Sequence, residues 1–272
     1  MQLLLWDNLP LENCYKLILQ LKFEEVIAET TKIKQLYPNH QNEIKELIDI
    51  SNFWKDFIDE DLKPKTNINT IFNLWTSYPF PTLFKNLKVK ILRWIAENVL
   101  KCTSDEEEMF DKLFLQLESH CCHQLNLELT ELLISQKPSS FHFLFYKSRA
   151  QWNLGKIADA KINLCLACWF NESWKDFSFI KNEELRAIAQ QHGIEWLPAF
   201  GYALLTLPSI PNENLKKFTC LIEKTYFNAY IWVVKLQESQ VQQDKESSLI
   251  YRKKIKLHNE ALFQLCMKSF IY

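Results

Sequence analysis

FHFLFYKSRAQWNLGKIADAKINLCLACWFNESW, residues 141–174, reads as two α-helices folded back on each other with Gly155 at the joint. In the first arm Phe141, Leu144, Phe145, Ser148 and Trp152 recur at steps of three and four, which puts them on one face of a helix. The second arm starts near Lys156. Its Ala160, Leu164 and Ala167 share a side, and the small side chains let a neighbouring backbone approach. The unit is an antiparallel hairpin of 34 residues, the length at which helix-turn-helix repeats close.

Ser148, the turn at Leu154-Gly155, Ala160 and Ala167 together resemble a tetratricopeptide repeat. That resemblance implies helix pairs stacked as an α-solenoid, with an inner surface that takes another protein or a peptide. A second hairpin with the same character occupies Leu11–Phe23 and Glu24–Tyr37. Its FEEVIAETTKIKQLYPN run has the aromatic-acid-acid opening and Leu-x-Pro-Asn close of a tetratricopeptide second helix. It departs from the pattern at Leu21, where a turn glycine is expected, and at Val26 and Ile33, which replace the two alanines.

Composition favours helix throughout. The chain of 272 residues has only three glycines, against a usual share of about 7%, and no alternating β-branched runs bounded by tight turns. The fold class expected is all-α, with tetratricopeptide-like hairpins and divergent helices between and after them. Four segments are expected: 1–64, a hairpin plus helix; 65–102, intervening helices; 103–175, the central repeats; and 176–272, a C-terminal helical region. Further helices are expected over His40–Leu62, Ile68–Trp75, from Thr82 as cap to Cys102, Asp105–His123 with Ser104 and Glu107 as a reciprocal cap, and Leu125–Gln136. Between them Ser77-Tyr78-Pro79-Phe80-Pro81 breaks the pattern. Beyond the centre, Asn182 caps a helix stopped by Gly193, and Pro198 fits the first turn of Leu197–Leu207. Asn212–Phe227, Ala229–Gln243, Ser247–His258 and Asn259–Phe270 complete the helical reading.

A formal net charge of −1 and an isoelectric point near 6.6 argue against a broad nucleic-acid footprint. No apolar run approaches the roughly 20 residues needed to cross a bilayer, and residues 1–6 lack the features of an export signal. The expectation is a soluble cytoplasmic protein with its eight cysteines reduced.

Little in the chain points to catalysis. Glycine-rich phosphate loops, Gly-x-Ser-x-Gly elbows and His-Glu-x-x-His pairs are missing. His120-Cys121-Cys122-His123 and the Cys165/Cys168 pair offer metal-ligand types. Both groups read as parts of apolar-periodic helices, where cysteine packs as a small hydrophobe. Cys165 lies near the far end of its helix, where the dipole does not favour a thiolate. No metal, cofactor or catalytic residue is assigned.

The partner-binding candidates follow from the resemblance. It places His142, Phe145, Arg149, Trp152 and Asn153 on an inner wall, and an arginine among aromatics is the composition of a binding hot spot. The same spacing also describes Phe145 and Trp152 as core with Arg149 toward solvent. In the same register the preceding helix presents Glu108, Asp111, Leu115 and Glu118, which suits a mixed-charge or basic peptide. The lysine and asparagine set of the family's carboxylate clamp is not evident. The function expected is non-catalytic recognition of a peptide or helical segment. Two alternatives stand beside it: a structural subunit whose aromatic surface packs inside an assembly, and a helical metal protein or enzyme centred on His120–His123.

Overall fold

The computed structural model describes residues 9–36, 38–59, 61–99, 107–170, 177, 180, 182–216 and 219–270. All regular structure among them is helical, apart from one isolated bridge between Ile58 and Pro64. The chain divides into two compact units, residues 1–125 and 126–272. The division falls inside the stretch 103–175.

The first unit holds α1 (Leu9–Leu19), α2 (Phe23–Ile33), α3 (Gln41–Trp54), α4 (Ile68–Ser77), α5 (Lys85–Val99) and α6 (Glu107–Ser119). α1 packs against α2, α3 and α5, and α4 lies along α5. The reason is legible in α2, where Phe23, Val26, Thr30 and Ile33 form the buried stripe. Thr30 is tolerated there because its hydroxyl donates to Val26 O at 2.6 Å. Tryptophans anchor the core: Trp75 Nε1 donates to Lys88 O at 2.8 Å and Trp94 Nε1 to Leu62 O at 3.0 Å. Each such ring contributes roughly 1.5–3 kcal/mol or more by burial, while its N–H remains hydrogen-bonded.

The chain passes from one unit to the other within α7 (His123–Gln136). The second unit then holds α8 (Phe141–Asn153), α9 (Ile157–Trp169), α10 (Glu183–His192), α11 (Leu197–Ala203), α12 (Asn212–Leu215), α13 (Thr225–Val241), α14 (Lys245–His258) and α15 (Glu260–Ser269). α11 is its centre, with all seven residues buried against α9, α10, α13 and α15. Trp169 of α9 meets Phe227 and Tyr230 of α13 edge to face, with ring centroids 4.9 and 5.2 Å apart.

Among the described residues five helix ends close identically. Leu21, Cys121, Gly155, Leu205 and Gln243 all have positive φ, between 56° and 77°. Each donates its N–H to the carbonyl three residues back, and the next residue donates to the carbonyl five back, as in Gly155 N to Trp152 O (3.1 Å) and Lys156 N to Gln151 O (2.9 Å). This is the Schellman cap. Four of the five join consecutive helices: α1 to α2, α6 to α7, α8 to α9 and α13 to α14. Only Gly155 is a glycine.

Several boundaries differ from the sequence reading. The third helix ends at Trp54 rather than Leu62, because the chain turns back to pair Lys65 N with Phe57 O at 2.9 Å. Thr82 starts a 3-10 turn ahead of α5 instead of capping it. Asn212–Phe227 is not one helix: α12 stops at Leu215, and Phe227 belongs to the first turn of α13, held there by Trp169. The Ser104 cap lies outside the described residues. Asn182 does cap α10, its side-chain oxygen accepting from Leu185 N at 3.0 Å, and Pro198 does occupy the first turn of α11.

Candidate functional site

α8 carries five of the expected binding residues, and its two flanks open into different clefts. On one flank Phe145 stacks on Phe141 with centroids 5.7 Å apart, and the Arg149 guanidinium lies 5.6 Å from the Phe145 ring centre. Phe145, Arg149 and Trp152 line a narrow apolar cleft with Leu164, Ile180 and Leu185. Phe145 is only 2% exposed; Arg149, Trp152, His142 and Asn153 are half-buried. Ile180, on the wall of this cleft, is fixed by Arg186, which donates from Nε (2.8 Å) and Nη2 (2.5 Å) to Ile180 O. The aromatic end of the stripe is therefore core, while Arg149 and Trp152 stand at its rim.

The other flank is wider and more polar. Lys147 and Gln151 of α8, Glu131 of α7, and Asp159 and Asn163 of α9 border an open cleft, with Ile134, Leu144 and Ile162 as its apolar lining. Lys147 Nζ lies 3.2 Å from Glu131 Oε1. Asn163 Nδ2 donates to Gln151 Oε1 at 2.9 Å and to Asp159 O at 3.0 Å. These polar groups were not singled out in the sequence, although Gln151 and Asn163, set among apolar neighbours of two facing helices, are the signal that pointed to them.

The hairpin itself is fastened by the small residues that the sequence singles out. Ser148 Oγ donates to Ala160 O at 2.7 Å, and Ala160 and Ala167 are fully buried. Of the acidic candidates, Asp111 and Glu118 are half-buried on α6 in the first unit, and the side chain of Glu108 lies outside the described residues.

His120-Cys121-Cys122-His123 is not inside a helix. Cys121, at φ 56°, is the left-handed residue of the α6–α7 cap, so the quartet straddles a turn. His120 faces the edge of Trp75 at 5.8 Å. Burial, and secondarily the Lys88 charge, lower its pKa. Among the described residues no group of three His, Cys, Asp or Glu side chains is placed to hold a metal. Cys165 and Cys168 lie in the last turns of α9, and burial pushes the Cys165 thiol up to about 12 and Cys168 well above its ordinary value. Neither thiol is activated toward redox chemistry.

No helix among the described residues is long and apolar enough to cross a membrane. No family model matches the chain, and neither a curated protein nor a solved structure matches it.

Proposed function

We propose that this protein is a non-catalytic interaction module of the tetratricopeptide-like class, working in a cytoplasmic setting, and that α8 is its binding element. A partner segment lies along α8 over the wide cleft, meeting Lys147, Gln151 and Asn163, while Arg149 and Trp152 border the separate cleft on the other flank. The observation that carries this reading is that open cleft, whose walls mix apolar surface with a few fixed polar groups, the composition that gives a groove both affinity and direction. The repeated Schellman-closed hairpins support the repeat assignment, since the turns at Cys121 and Gly155 are one repeat length apart.

The alternative of a permanent subunit buried through its tryptophans draws less support. The seven described tryptophans, Trp54, Trp75, Trp94, Trp152, Trp169, Trp196 and Trp232, are all buried or half-buried.

The test is selection of extended peptides from a displayed library on the full chain, followed by titration against variants. Lys147→Glu is expected to weaken selected peptides by roughly tenfold or more, with Arg149→Glu having a smaller effect. Peptides whose affinity ignores both variants would remove the site, and an obligate oligomer in solution would favour the subunit reading.

A further inference from the structure

α14 turns Ser248 and Ile255 inward and leaves Leu249, Ile250, Lys253, Lys256 and Leu257 exposed. The apolar members are not marginal: Leu257 is 81% exposed, Leu249 53% and Ile250 46%. The helix also carries Lys245, Arg252, Lys253, Lys254 and Lys256 against the single carboxylate of Glu246, in a chain whose net charge is −1. Among the described residues Lys245, Lys253, Lys254 and Lys256 make no ion pair. Two of the lysines rest on aromatic faces, Lys254 at 5.9 Å from the Tyr251 ring and Lys256 at 5.5 Å from Phe263, which holds the cationic edge in place.

We propose that the exposed face of α14 docks an acidic amphipathic helix of a partner protein, one with Leu or Ile at heptad spacing and Glu or Asp beside them. Ile250 and Leu257 are one heptad apart, so they present the seam that a second helix packs along. Around the exposed arc, at 100° per residue, Lys256, Leu249, Lys253, Glu246, Leu257, Ile250 and Lys254 follow in turn, so charged side chains, Lys253 first among them, interrupt the apolar surface. A lipid bilayer needs an unbroken apolar sector and would have to desolvate Lys253. A nucleic acid would use the lysines and leave Leu249, Ile250 and Leu257 against water. A helix with carboxylates flanking its apolar seam satisfies both sets at once. This site is separate from the α8 cleft and does not depend on it.

The test titrates the full chain against a fluorescent designed helix of roughly three heptads, with Leu at the seam and Glu on both sides. A charge-reversed version with Lys for Glu, vesicles of phosphatidylcholine and phosphatidylserine, and an oligouridine strand serve as comparisons. The acidic helix is expected to bind with a Kd below roughly 0.1 mM, weakening as salt rises. Its Kd should rise about tenfold or more in K253E/K256E and in Leu257→Asp. These side chains are exposed, so the variants should keep the parent Tm. Arg149→Glu and Lys147→Glu should leave this binding unchanged, which separates its failure from failure of the α8 site. The proposal is overturned if the acidic helix does not bind, if the variants bind it as the parent does, or if vesicles or oligouridine bind in its place.

Discussion

Four of the five left-handed cap residues carry a Cβ that their conformation disfavours. A non-glycine residue at positive φ costs about 1–2 kcal/mol, partly offset by the greater freedom glycine has in the unfolded chain. Gln243 and Cys121 are exposed, so shortening them removes no core contact. Gln243→Gly and Cys121→Gly should each stabilise the fold by up to about 1 kcal/mol, or roughly 2–4 °C in Tm by thermal unfolding. Gly155→Ala should do the reverse by about 1 kcal/mol, through the backbone alone, because an added Cβ meets nothing within 4 Å. Histidine gives a second effect at this scale. His192 stacks on Phe200 at 3.8 Å, and burial lowers its pKa, as it lowers that of His120. The folded state keeps both rings neutral while the unfolded chain takes up protons first, so stability present above pH 6.5 is lost as pH falls toward the folded pKa values. Tm should drop as pH falls below about 6.5, and His192→Gln should flatten that slope.

At the scale of elements, the α8–α9 hairpin depends on close approach, not on bulk. Ala160 is fully buried and its carbonyl receives the Ser148 hydroxyl. Ala160→Leu should therefore force the helices apart and cost about 1–3 kcal/mol, seen as a lower denaturation midpoint with far-UV helicity retained. This hairpin was legible because periodicity, small residues and a turn glycine agreed. So were the turn at Leu21, placed by its match to a glycine position, and the caps at Asn182 and Pro198, which act through neighbours in sequence. Most of the misses come from partners more than a helical turn away in sequence. Phe227 looked like the end of a helix but is fixed at the start of another by Trp169, and the helix over residues 40–62 was cut short by a pairing between Phe57 and Lys65. The burial of Phe145, which shares its cleft with Ile180 and Leu185, was hidden for the same reason. The placement of His120–His123 at a turn has a local cause instead: the Cys121 cap, whose bonds reach only three and five residues back, overrides an apolar period that runs straight through it.

For the molecule as a whole, near-neutrality conceals segregation. A net charge of −1 coexists with a strongly basic α14 that also exposes Leu257, and a protein close to its isoelectric point self-associates through such surface. Turbidity should peak near pH 6.6, and Leu257→Lys should lower that peak without changing Tm. The sulfur atoms are segregated as well. Of the described cysteines, Cys14, Cys122, Cys165, Cys168 and Cys266 are buried, whereas Cys121 and Cys220 are exposed, one in each compact unit. A bulky maleimide would therefore tag either half of the folded chain at a surface atom of its own. The inner thiols would stay silent until their half opened, so the protein carries a chemical stopwatch for its own breathing.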